Sequence, residues 1–548
     1  LPRTALTGPV GRRTLLLRRV RIEMPKRHFL PPRANSPLPW VPWGFSLVFP
    51  IAVIALAGTV LFSVLAADEP AGTEEPGAIA AALTTETPAD VVQQNILAPT
   101  ATIEEPPTVA ASPTLVDGPI EGVITDSSGN PLQGARVSDG TSVTVTGADG
   151  IFQMSFADPD PDADMRISAS GFHDWTGPMS ELGSRSDIVL ETQQVNAIYM
   201  NPNMSGTDED IDRFIDIINT TSANAVVIDI KEEIIYYDSQ VELFVDAGTV
   251  RPIMDLAEVL QKFKDNGIYT IARLVVFKDG LVAQANPDMA VLNNVTGDLW
   301  RDDNGVAWVN PMVHALWDAN AALAVEAAGY GFDEIQYDYV RFPTDGDFTT
   351  MDFGLENTQE NREKSIEGFL ALTREKLLPT GAKQSADVFG YTLLVDDDLG
   401  IGQNFPNIAE YVDYISPMIY PSHWPNGSLA VDGHPNDFPY ETIEISMRKA
   451  GEKLDGDMLR VRPWLQDFSY FDLMPYGDDE VRAQIEAVEA SGASGWMLWD
   501  PNNRYHPGGL DPDPSSATPV AGTPDAGTPA PVPGTPVTRR RRSRGRIR

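Results

Sequence analysis

Carboxylates and large aromatic side chains recur together at the ends of apolar runs in the C-terminal part of this chain. Asp229 and Lys231 close VVIDIK, and Arg273 lies within IARLVV. Gln336, Asp338 and Arg341 belong to FDEIQYDYVRFP, and Asp387 to SADVFGY. Tyr420, His423 and Trp424 end PMIYPSHW, while Trp464 precedes Gln466 and Asp467. Trp496, Trp499 and Asp500 complete the series. This combination suits cleavage of a glycosidic bond, in which one carboxyl protonates the leaving oxygen and another acts as nucleophile or as base for water. Trp and Tyr add flat faces for sugar rings and polar edges for hydroxyls.

Within FDEIQYDYVRFP, Glu334, Gln336 and Asp338 share one parity, so on a strand they point to the same side. Polar groups inside a strand are costly to bury unless paired. Glu334 therefore reads as structural, for instance in an ion pair with Arg273. Asp338, nearest the strand's end, reads as functional.

These residues need a scaffold that brings them to one rim. Between residues 193 and 507, strand-like and helix-like segments alternate, which indicates a parallel α/β fold. The strand-like runs are Asn196–Met200, Ala225–Ile230, Tyr269–Val276, Glu334–Val340, Ala386–Tyr391, Tyr414–Tyr420, Leu459–Trp464 and Gly495–Trp499. Between the first runs, Ile211, Phe214, Ile215 and Ile218 line one helical face, and Met254, Leu256, Val259, Leu260 and Phe263 line another. Gly267 is a C-terminal stop, and Asn310-Pro311 reads as a cap with proline at the first helical position. Eight such units predict a (β/α)8 TIM barrel, with the rim residues at its C-terminal face. A doubly wound open sheet is the alternative. No G-x-G-x-x-G follows the first strand, which counts against a dinucleotide fold.

Composition narrows the chemistry. The chain has 548 residues, 78 acidic against 40 basic, and a net charge of -38. Nine of the basic residues precede residue 44 and seven lie in the last ten positions, so the middle is strongly acidic. That disfavours nucleic acid and polyanionic substrates. There is no cysteine, which excludes a thiol nucleophile and thiolate metal sites. No H-x-H, H-E-x-x-H or G-x-S-x-G occurs. His314, His423 and His434 are the barrel histidines that could serve chemistry. His423 reads as a substrate contact or packing residue, so no metal and no cofactor is expected. DPDPDAD at 158–164 could hold calcium weakly but reads as a solvated loop.

Outside the barrel, Gly44 to Ala66 form 23 uncharged residues after a basic segment, 1–43, with Trp40 and Trp43 at the border. The length and flanks predict a transmembrane anchor with the bulk of the chain outside the membrane. A signal peptide cleaved near Val64-Leu65-Ala66 is the alternative. The chain opens on Leu, and Met24 would serve as an initiator. Residues 67–117 and 508–548 read as disordered Ala/Thr/Pro-rich linkers. The latter ends RRRRSRGRIR, which suits contact with an anionic wall polymer or lipid, or is simply a solvated tail. Residues 118–192 carry short strands between turn signals and predict a small β-sandwich.

Two resemblances follow from these motifs. Gly122-Val123-Ile124, Gly129, Pro131, Gly134-Ala135, Thr146, Gly150, Phe152 and Ala169-Ser170-Gly171-Phe172 resemble the carboxypeptidase regulatory-like, transthyretin-like domain. That resemblance implies a spacer or adhesion module without chemistry. VVIDIKEE, IARLVVFKD, FDEIQYDYVRFP, YISPMIYPSHW and GWMLWDPNNRY together look like the putative glycosyl hydrolase domain family, across about 193–507. The resemblance implies a TIM barrel acting on carbohydrate. By analogy with barrels whose nucleophile follows strand four and whose acid follows strand five, Asp338 would be nucleophile and Asp387 acid/base. Asp387 departs from the commoner Glu, and Asp229, Asp467 and Asp500 stand in reserve. Asp229, Lys231, Arg273, Gln336, Arg341, Tyr420, His423, Trp424, Trp464, Trp499 and Asp500 would bind substrate. A barrel that binds carbohydrate without turnover, or a lyase or transferase, explains the same residues.

Overall fold

The structure is a computed structural model that describes residues 119–156, 160, 162–182 and 185–511. The expectations for segments 1–43, 44–66 and 67–117, and for nearly all of 508–548, lie outside the described residues, as does part of the Asp-rich run at 158–164. Among the described residues, no helix is long and apolar enough to cross a membrane.

Eight parallel strands close into a barrel in sequence order. They span Val195–Met200, Ala225–Lys231, Tyr269–Val275, Glu334–Asp338, Lys383–Phe389, Tyr414–Met418, Trp464–Gln466 and Gly495–Trp499. The second strand is buried at all seven positions, as expected where helices cover the outside and side chains fill the inside. Its neighbours in the outer layer are amphipathic. The Asp208–Thr220 helix starts where Thr207 accepts from the Asp210 N–H, and it buries Ile211, Phe214 and Ile218. Asp255 caps the Leu256–Asp265 helix in the same way. Gly267 follows that helix at φ 69°, a left-handed turn that suits a residue without Cβ.

The predicted elements shift in several places, among them the fifth strand, which spans Lys383–Phe389 rather than Ala386–Tyr391. Pro463 has no N–H to give a ladder, and Met458–Arg460 form a 3-10 turn, so the seventh strand starts at Trp464 rather than ending there. The fourth strand stops at Asp338 because Tyr339 turns to φ 50°. Asn310 does not cap a helix at Pro311. Its side chain accepts from Met312 N–H and donates to Phe353 O, and the helix begins at His314.

Residues 120–190 form two antiparallel-rich sheets around one core that includes Ile124, Val137, Phe152 and Ile167. Val143–Val145 and Ile151–Met154, consecutive strands in the chain, lie in different sheets. This sandwich packs on the N-terminal end of the barrel. Arg136 pairs with Asp413 at 2.8 Å, Lys383 with Asp174 at 3.0 Å, and Gly171 N–H donates to Tyr414 Oη at 3.1 Å. The opposite, C-terminal face carries the residues singled out above.

Candidate active site

The inside of the barrel is small and apolar at mid-height, with Ala197, Val227, Ile271 and Met497 among the residues filling it. Above that layer the third strand delivers Arg273, and three carboxylates converge on it. Its Nη1 lies 2.5 Å from Asp229 Oδ1, its Nη2 bonds Asp338 Oδ2, and its Nε stands 3.8 Å from Asp387 Oδ2. The ladder explains the convergence. Arg273 pairs with Asp229 on strand two and with Gln336 on strand four. One step beyond the last paired residues of strands four and five, Tyr337 and Ala386, stand Asp338 and Asp387.

Each carboxylate has a second partner. Tyr199 Oη donates to Asp229 at 2.6 Å, Trp464 Nε1 to Asp387 at 2.8 Å, and the Tyr339 N–H to Asp338 at 2.6 Å. Tyr199 stacks on Trp499 with ring centres 4.0 Å apart, and the Arg273 guanidinium lies 5.1 Å from the Trp499 ring centre. The site is nearly closed, with Asp387 1% exposed and Asp338 6%.

Burial and crowding set the electrostatics. Burial pushes Asp229 up to about 6 against the pull of Arg273. Burial, then the charge of Asp338, lifts Asp387 well above the usual carboxylate range. Burial opposes the Arg273 charge, but Asp229 and Asp338 outweigh it and keep the guanidinium protonated. Burial raises Tyr420 well above its usual range, with Asp387 and Asp338 adding to the shift.

The remaining candidates divide. Tyr420, Trp464 and Trp499 join the cluster. His423 meets Tyr420 edge-on at 5.5 Å, shares a hydrogen bond with Ser422 Oγ at 2.9 Å, and burial lowers it to about 4, so it is neutral near pH 7. Gln336 is fully buried below the carboxylates, against Met497. Lys231 does not join them. The register shifts after Arg273, and Lys231 turns to Asp279 at 2.8 Å and Val275 O at 2.7 Å. Arg341 is buried among Trp308, Tyr339 and Phe389, and burial lowers its pKa. Trp424 is buried against Tyr391, 4.9 Å away, rather than open to a ligand. Asp500 accepts from the Asn502 N–H in the turn after strand eight. Glu334 pairs with Arg462 at 2.7 Å and not with Arg273, which is engaged one layer above.

Sequence reasoning missed several residues. Tyr199 ends the first strand in the parity of Ala197, a signal available from NAIYM. Arg462 sat in a segment whose strand was misplaced. His506, in no motif of the sequence reading, has its Nδ1 2.5 Å from Asp467, which burial pushes up to about 6. Glu232, accepting from Tyr236 Oη at 2.6 Å, adds charge beside Asp229. Among the described residues, no three His, Asp or Glu side chains are grouped to hold a metal ion.

A family described as "Putative glycosyl hydrolase domain" matches residues 197–505, more than half of the chain. No curated protein matches. Among solved structures, a hypothetical protein from Ruminiclostridium thermocellum is 35% identical, with 35% of this chain and 97% of that one covered and a TM-score of 0.32. The PgaB (BpsB) glycoside hydrolase domain from Bordetella bronchiseptica is 13% identical over 56% of this chain and 94% of its own, with a TM-score of 0.43. The Bacillus cereus spore cortex-lytic enzyme SleL is 10% identical over 59% and 74%, with a TM-score of 0.37.

Proposed function

The chain belongs to the putative glycosyl hydrolase domain family, and from that premise we propose that it hydrolyses O-glycosidic bonds of oligo- or polysaccharide with two carboxyls. Asp387 is the acid and Asp338 the nucleophile or base. The observation that carries this reading is the gathering of three carboxylates on Arg273 at the C-terminal end of a closed barrel. Asp387, raised by burial and by Asp338, keeps a proton that it gives to the glycosidic oxygen as the bond to the anomeric carbon breaks. Asp338 either attacks that carbon or takes a proton from the water that does so. Arg273 holds the carboxylates in place, and Asp229, itself held by the Tyr199 hydroxyl, orients Arg273.

One observation favours a second reading, a barrel that binds carbohydrate or scaffolds the envelope without turnover. All three carboxylates already have protein partners and little exposure. The test is a hydrolysis screen of the full chain on a broad oligosaccharide and wall-polymer panel, beside Asp338→Asn and Asp387→Asn. Activity that falls on the order of 10^3-fold or more in both variants supports the enzyme. Binding without turnover in all three proteins supports the scaffold. Undiminished hydrolysis in Asp338→Asn would move the chemistry to another carboxyl.

The same reading places the barrel outside a membrane, anchored by residues 44–66, from their apolar run and basic flank. Alkaline extraction of membranes, with protease added to intact cells, tests both parts. Release into the soluble fraction would remove the anchor, and protection from protease would reverse the side.

A further inference from the structure

One row of rings leads away from the carboxylates to solvent. Tyr420, after strand six, meets Phe468, after strand seven, at 5.8 Å between ring centres. His423 lies 5.9 Å from Phe468 and 5.3 Å from Tyr470. Tyr470 meets Phe471 at 4.7 Å. The outermost ring is anomalous twice over. Phe471 is 85% exposed, and its backbone stands at φ 38°, where a residue with a Cβ is strained. A strained backbone that holds a large apolar ring in water costs free energy on both counts, and such positions cluster at ligand clamps.

The loop carrying Phe471 is also held at both ends. Tyr476 N–H donates to Ser469 Oγ at 3.1 Å, and buried Asn436 donates to Met474 O at 2.8 Å. Gln466 and Tyr476 Oη bond the same asparagine. The ring is therefore presented by an anchored loop. The inner end of the row meets the carboxylates through Tyr420, which packs against the barrel-core cluster that includes Trp464, the donor to Asp387. Asp472 follows the outer ring. That residue places a negative charge beside the outer ring, which disfavours an anionic polymer there and leaves ring faces to supply attraction.

We propose that Tyr420, Phe468, His423, Tyr470 and Phe471 form an aromatic rail that binds a neutral polysaccharide chain and leads it to the carboxylates around Arg273. The rail rests on the reading of that cluster as a glycoside hydrolase site, and it deepens that reading by making the substrate a long chain rather than a small sugar. Phe471 and Tyr470 act only on chains long enough to reach them.

The experiment uses the full chain and Phe471→Ala/Tyr470→Ala, with disaccharides and hexasaccharides of glucose and N-acetylglucosamine as probes. It also measures retardation of Asp338→Asn, with and without the rail substitutions, in gels holding the soluble polymers glycol chitin and hydroxyethyl cellulose. The expected result is a loss of about tenfold in kcat/KM on the hexasaccharide with the disaccharide unchanged. Retardation of Asp338→Asn should be lost in the rail variant. Equal loss on both lengths, or no loss on either, overturns the rail, as does retardation by neither polymer. Hydrolysis absent from every protein, with retardation that still depends on Phe471 and Tyr470, keeps the rail and rejects the enzyme. Intact hydrolysis with retardation independent of the rail does the reverse. Unchanged far-ultraviolet circular dichroism of the variant guards against misfolding.

Discussion

Strand four feeds two buried charge clusters at opposite ends of one barrel. At its start, Glu334 meets Arg462 at 2.7 Å and accepts from Tyr269 Oη at 3.1 Å, while Arg462 lies 3.7 Å from the centre of the Tyr414 ring. At its end, Asp338 shares Arg273 with Asp229 and Asp387. The floor matches one acid with one base under the sandwich. The rim sets three acids against one base at the C-terminal face. Matched charge neutralises itself, which suits structure. Burial, reinforced by unmatched negative charge, favours protonated carboxyls, and Asp229 and Asp387 both rise. Position along a single strand therefore separates a carboxylate matched by one base from a carboxylate that shares its base with two others, four residues apart.

The comparison breaks if the two ends respond alike to neutralisation. Asp338→Asn should abolish turnover and leave unfolding in denaturant nearly unchanged. Glu334→Gln should do the opposite, because it strands the fully buried Arg462 charge. The expected cost is about 3–5 kcal/mol in denaturant unfolding, with kcat per folded molecule retained. Glu334→Leu combined with Arg462→Met should recover most of that loss, since a matched buried pair gives little net stability over apolar residues of similar size. A Glu334→Gln protein that is stable but inactive would show that the floor, too, serves the chemistry.

A smaller effect sharpens the account of the rim. Trp464 donates to Asp387, and that bond lowers a pKa otherwise raised by burial and by Asp338. Trp464→Phe keeps a ring in place and removes the donor. The Asp387 pKa should then rise further. If Asp387 works protonated, the alkaline limb of the kcat/KM profile moves to higher pH, while the plateau drops about two- to tenfold from the lost hydrogen bond. A limb that stays fixed, or moves to lower pH, would assign it to another group.

Much of this barrel was legible because its strands are short apolar runs with fixed parity, and ladder register follows parity. Glu334, Gln336 and Asp338 could be assigned to one side for that reason, and all three point inward. The failures have local causes. Lys231 lies two residues after Asp229 and shares its parity, but a register shift beyond Arg273 turns it to Asp279. Pro463 hid the true start of strand seven, and with it the inward direction of Arg462. Trp424 looked like a stacking platform, yet whether an aromatic ring faces solvent or a neighbour such as Tyr391 depends on loop packing. Which acids meet at Arg273 is a tertiary fact that no single motif contains.

The smallest expected effect lies beside the rim, where Asp467 and His506 form a matched pair of another kind. Asp467 is fully buried and His506 is partly exposed. Burial disfavours the imidazolium, but the hydrogen bond and charge of Asp467 outweigh it, so the His506 pKa is raised in the fold. A histidine raised on folding binds more protons in the native state, so stability falls as pH rises through its titration. Its contribution is complete below the unfolded value of about 6.5 and disappears above the raised folded value. His506→Gln should therefore flatten the slope of unfolding free energy against pH above about 6.5, without changing it near pH 5. Solvent screening at the exposed imidazole keeps the change small. A slope that survives His506→Gln would mean that Asp467, itself raised to about 6 by burial, titrates alone, and that its partner only packs against it.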